Sequence, residues 1–124
     1  MTHKAVLSFR KHQNVLVATF QSAHLNDCHQ TEMLRQQFAV AKDEYKFDCL
    51  LLNCQGLIYL ISEAFGILIQ LHKDLRAANC RLALCALEPE VMELLQINRL
   101  DRFLTIYPTQ EAALQAESRA STAM

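Results

Sequence analysis

The sequence predicts an α/β fold: a central mixed sheet of about five strands and about four helices, with an N-terminal hairpin leading into parallel strands. Three observations predict it. Apolar residues make up 52% of the 124 positions and charged residues 20%, which suits a buried core and is too apolar for intrinsic disorder. Two β-prone runs near the N-terminus are separated by a short polar stretch. From Phe47 onward, strand-like and helix-like segments alternate, which demands parallel neighbours joined by crossovers.

The elements follow in order. Val6–Arg10 and Val15–Phe20 form the hairpin, with Lys11 to Asn14 as a loop of about four residues. Gln21 to His29 is polar, and Asn26 and Asp27 are possible helix starters. A helix follows from about Gln30 to Lys42, with Met33, Phe38 and Val40 as its apolar residues. Phe47–Cys54 is almost continuously apolar without alternation, the pattern of a central strand covered on both faces. Gln55 to Ile61 is the loop after it. Ser62 opens a helix to about Ala78, whose inner stripe is Ala64, Leu68, Leu71, Leu75 and Ala78. Phe65, Ile67 and Ile69 widen that face or stay outside it. Asn79 suits a left-handed helix end, and Arg81–Leu87 is the next strand. Pro89 fits the first turn of a helix carrying Val91, Leu94 and Leu95, ending at Asn98 or Arg99. Phe103–Tyr107 is a last short strand, and Pro108–Thr109 starts a final helix with Ala112, Ala113 and Leu114. Residues 1–116 form one domain, and 117–124 are expected to be a disordered tail.

Composition also excludes functions. The balance of 12 basic and 13 acidic residues leaves no basic face for nucleic acid. Two glycines cannot build a glycine-rich phosphate cradle. The five cysteines are odd in number, lack a CxxC pair and follow an N-terminus without an apolar signal core. Reduced thiols in the cytoplasm are therefore expected. Residues 50–71 are apolar but interrupted by Asn53, Gln55, Gly56, Ser62 and Glu63, so no membrane insertion is expected.

Little of the sequence suggests catalysis. His24, Asp27, Cys28 and His29 are types that metals favour, but no second half repeats the spacing, and a polar loop with a helix start is the plainer reading. His72 reads as a rim residue of its helix. Asp43/Glu44 and Glu88/Glu90 stand at helix ends, where acids solvate the surface or complement the helix dipole. No enzyme activity, cofactor or metal is expected; the reading is a binding or regulatory module. Ser62 has two readings. It is expected to cap its helix through the hydroxyl. As a serine at a helix N-terminus it is also a candidate phosphorylation site, because that end favours phosphate.

Several blocks in the right order resemble the STAS domain family, most of all the small bacterial anti-sigma factor antagonists. They are Asn53-Cys54-Gln55-Gly56, the apolar Leu57 to Leu60, Ile61-Ser62-Glu63-Ala64-Phe65-Gly66, Leu71 to Arg76, Arg81 to Leu84, Glu90 to Leu95, Leu100 to Phe103 and Tyr107 to Leu114. The resemblance implies a STAS-like fold. It also implies an antagonist that binds an anti-sigma factor, itself a serine kinase, and is released when Ser62 is phosphorylated. Ile61 stands where the family has aspartate, Glu63 where it has serine or threonine, and Ala64 and Arg99 where it has glycine. The expected partner surface is Tyr59, Ile61, Ser62, Glu63, Phe65, Gly66 and Ile69, and Phe65, Ile67 and Ile69 also suggest a weak homodimer. The alternative is a STAS scaffold that is never phosphorylated, an accessory subunit of a stress-signalling or membrane-transport complex.

Overall fold

The computed structural model describes residues 6–122, and the side chains of residues 6–118. Five strands form the main sheet: β1 (Leu7–His12), β2 (Val15–Phe20), β4 (Cys49–Asn53), β6 (Arg81–Cys85) and β7 (Thr105–Tyr107), in that spatial order. β1 runs antiparallel to β2, and every other neighbouring pair in this sheet is parallel. The crossovers carry α1 (Cys28–Glu44), α2 (Ser62–Ala77) and α3 (Pro89–Ile97); α4 (Gln110–Thr122) follows β7. This is the mixed five-stranded sheet with four helices that the alternation predicts.

The strands explain the two-layer covering. All five β4 residues are buried. Leu50 and Leu52 join Leu16, Ala18, Leu82 and Leu84 in the larger core, which packs against α1, α2 and α3. Cys49 and Leu51 point the other way, with Val15, Val17, Ala83 and Cys85, against Ala113 of α4. Successive strand residues alternate faces, so an unbroken apolar run is what a sheet covered on both sides requires.

Several boundaries differ from expectation. The hairpin turn is Gln13-Asn14, shorter than expected, and Gln13 takes φ 54. β6 ends at Cys85, before Ala86 turns left-handed at φ 56. Ala78 is exposed beyond the α2 stripe, whereas Phe65 and Ile67 are buried with it and Ile69 is 37% exposed. Phe103 lies in a turn after a 3-10 turn at Leu100–Arg102 and is 65% exposed, so the last strand starts two residues later. Glu117, assigned to a tail, lies on α4 and is 5% exposed.

Asn79 and Arg99 both take the left-handed conformation, at φ 62 and φ 61. A Cβ in that region costs roughly 1–2 kcal/mol, while glycine loses more chain entropy on folding, roughly 0.5–1 kcal/mol. Arg99 is exposed, so its side chain loses few contacts on replacement. Arg99→Gly is therefore expected to raise stability by about 0.5 kcal/mol, read as a higher urea midpoint with an unchanged slope.

Candidate functional site

The candidate site lies at the N-terminus of α2, beyond the C-terminal end of β4. Open parallel sheets place their functional loops at this end. The chain reaches it through a segment that is tied down on both sides. Asn53, at the end of β4, is 9% exposed; its amide donates to Gln110 Oε1 at 2.8 Å and its Oδ1 accepts from the Gln55 N–H at 3.0 Å. Gly56 takes φ 84, and its N–H donates to Glu88 Oε2 at 2.7 Å. Glu88, read from sequence as a solvated helix-end acid, thus clamps the β4–α2 loop to the start of α3.

A second, two-stranded sheet completes the approach. β3 (His24–Leu25) pairs in parallel with β5 (Tyr59–Leu60). The Ile58 N–H donates to the Ala23 carbonyl at 2.8 Å, and the Ile61 N–H to Leu25 at 2.9 Å. Leu25, Leu57 and Leu60 are buried and anchor this ribbon to the main core. Both strands lie in segments the sequence assigns to loops.

At the helix start the cap expectation is corrected. Ile61 is the N-cap, no side chain caps this end, and Ser62 is the first helical residue. The Ala64 N–H bonds back to the Ile61 carbonyl at 2.9 Å. An N-cap serine needs an extended backbone so that its hydroxyl reaches an N–H further along. Ser62 is already helical, so its hydroxyl is not spent on the cap, and it is exposed. The uncapped first turn carries the positive end of a helix of 16 residues.

The other expected surface residues divide. Tyr59 is 43% exposed, Ile58 36% and Ile69 37%. Glu63 and Gly66 are exposed and Ile61 is partly buried. Ser62, Gly66 and Ile69 fall at spacings of four and three, so they share one outer helix face. Phe65 is the exception: it is 7% exposed and belongs to the core. A partner or a second copy meeting this face therefore touches Ile58, Tyr59 and Ile69 rather than Phe65 or Ile67.

The histidine-cysteine cluster is accounted for by local structure. Asp27 is the N-cap of α1, its carboxylate accepting from the Gln30 N–H at 2.8 Å. Cys28 Sγ lies 3.9 Å from Glu63 Oε1, and that carboxylate pushes the thiol pKa up. A thiol so placed holds its proton and is a poor nucleophile or ligand. Among the described residues no three His, Cys, Asp or Glu side chains gather as a metal site requires. Cys49, Cys54 and Cys85 are buried, and all five cysteines are free thiols. Among the described residues no helix is long and apolar enough to cross a membrane.

Comparison with known proteins agrees with this architecture. The family model described as the STAS domain matches residues 7–113. An anti-sigma F factor antagonist from Paenibacillus polymyxa is 25% identical over 108 residues, covering 87% of this chain and 91% of that protein. The solved structure of an anti-sigma-factor antagonist (STAS) domain protein from Planctomyces limnophilus superposes with a TM-score of 0.82. It is 22% identical and covers 93% of this chain and 99% of its own. The phosphorylated form of the Bacillus cell fate determinant SpoIIAA gives a TM-score of 0.67 at 19% identity, covering 89% of this chain and 97% of its own. At these identities the structural likeness shows the fold.

Proposed function

Because this chain belongs to the STAS domain family, we propose that it is a regulatory protein of the anti-sigma factor antagonist type, acting by reversible protein binding in the cytoplasm rather than by catalysis. Its partner is an anti-sigma factor that is also a serine kinase. The contact surface runs from Ile58 and Tyr59 across Ser62 and Gly66 to Ile69. Phosphorylation of Ser62 ends binding.

The observation that carries this reading is the placement of Ser62: exposed, first in α2, not engaged as the cap, and flanked by exposed apolar side chains. A phosphate there sits against the free N–H groups of an uncapped helix end, which favours the modified state. It also adds close to two negative charges to the apolar patch, which opposes desolvation by a partner. Glu63, one residue on, puts a fixed charge in the same turn. Together with Ile61 in the aspartate position, that charge favours a second reading, a STAS scaffold that holds its partner without cycling.

The two readings separate in one assay. The protein is incubated with the serine-kinase anti-sigma factor of its own organism and ATP, then digested and analysed by mass spectrometry. The expected result is one phosphate on Ser62, absent from Ser62→Ala. A partner that binds and leaves Ser62 unmodified supports the scaffold instead.

A further inference from the structure

Two cavities adjoin on the flank of α2, away from Ser62. The first, of about 230 Å³, lies between α2 and the 3-10 turn, walled by Ile69, Leu100, Phe103 and Leu104 with Lys73 and His72. An apolar cavity of roughly 150 Å³ lined by such side chains is enough to take up benzene, so this one has room for a short alkyl group. The second, of about 440 Å³, is polar and lined by Arg76, Asn79, Arg81 and Thr105.

His72 lines both cavities. Its Nδ1 is buried and has no hydrogen-bond partner among the described residues. A buried polar atom without a partner is a cost that native structures generally avoid. The charges here are of one sign. Lys73 and Arg76 have no ion-pair partner among the described residues, and no Asp or Glu lines either cavity. Arg81 adds a third cation, paired through its Nε with Glu117 at 2.6 Å. His72 stands ten residues beyond Ser62, about 15 Å along the helix, so the pocket meets the proposed partner surface at Ile69 alone and does not reach Ser62.

We propose that this composite pocket binds a small anionic amphiphile: an aliphatic carboxylate whose chain fills the Ile69–Phe103–Leu104 cavity. The carboxylate lies at Lys73 and Arg76, within reach of His72. The apolar walls supply affinity through burial, and the unpaired cations select the negative head. The inference is independent of Ser62 phosphorylation.

The test uses the full chain with octanoate and, as an uncharged counterpart, 1-octanol, followed by calorimetry and by amide chemical shifts. Octanoate is expected to bind saturably with one site, moving the amides of Ile69, Lys73 and Leu104. Octanol is expected to bind about tenfold more weakly. The double variant Lys73→Gln/Arg76→Gln is expected to lose about tenfold for octanoate and to leave octanol unchanged. Ile69→Trp fills the cavity and is expected to abolish binding of both probes; Phe103→Ala, at a 65% exposed position, opens a wall and weakens both. Thermal unfolding of each variant confirms that it is folded. The proposal is overturned if octanoate fails to saturate at millimolar concentration, if its shifts map elsewhere, if octanol binds equally well, or if folded Ile69→Trp binds as before.

Discussion

Leu50→Ala is expected to lower stability by about 3 kcal/mol, the middle of the range for removing a fully buried leucine. Leu50 has 0% exposure and is the second of the five residues of β4, itself the central strand of the sheet. Its neighbours are strand residues on both sides, paired in register with Leu16 and Leu82. Such a site relaxes poorly around a cavity, because the backbone of three strands is fixed by ladder hydrogen bonds. The urea midpoint falls without a change of slope, and the melting temperature drops by roughly 10 °C or more.

Glu117→Ala is the second large effect, expected at about 2 kcal/mol, and it acts through α4. The Glu117 carboxylate accepts from Arg81 Nε at 2.6 Å and from the Tyr107 hydroxyl at 2.6 Å, fastening the last helix to β6 and β7. A fully buried pair broken on one side costs more, but the Arg81 side chain is 44% exposed and regains water when its partner is removed. The same cluster sets two limits in pH. Burial by itself would raise the Glu117 pKa; the Tyr107 and Arg81 hydrogen bonds outweigh it and hold the carboxyl below its ordinary 4.5. Its stabilising contribution is complete above that ordinary value and is lost as the pH falls through the lower folded value. Burial, then the Glu117 hydrogen bond, pushes the Tyr107 hydroxyl up to about 12. Tyr107 therefore stabilises the fold fully below its ordinary 10 and loses that contribution as pH rises toward 12. Urea midpoints across pH are expected to show both limbs; Tyr107→Phe flattens the alkaline one.

The sequence was most legible where a pattern repeats. The β4 run, the Ala64–Leu68–Leu71–Leu75 stripe, the Pro89 start and the left-handed Asn79 each rest on local chemistry that the neighbouring residues alone impose. What escaped is held by distant partners. β3 and β5 have two residues each, too few for any periodicity, and exist because each supplies the other's hydrogen bonds. Glu117 sits in a polar segment that reads as a tail, yet its partners are 36 and 10 residues away. Glu88 is similarly invisible as the acceptor for Gly56, 32 residues upstream. At the site itself, the change from apolar loop to helix marks Ser62 as the helix start, which is where α2 begins. The cap is not legible in the same way, because the extended N-cap residue is the apolar Ile61. Phe65, which the sequence leaves open between the buried face and the outside and also assigns to the partner surface, is 7% exposed and packs in the main core.

The surface around Ser62 is the centre of the functional account, and its most direct test is an affinity. The unmodified protein and the same protein phosphorylated on Ser62 are titrated calorimetrically into the serine-kinase anti-sigma factor of its organism. The expected result is that the unmodified form binds and that the phosphate weakens binding by at least about a hundredfold. Equal affinities for the two forms, or no binding by the unmodified protein, would contradict it.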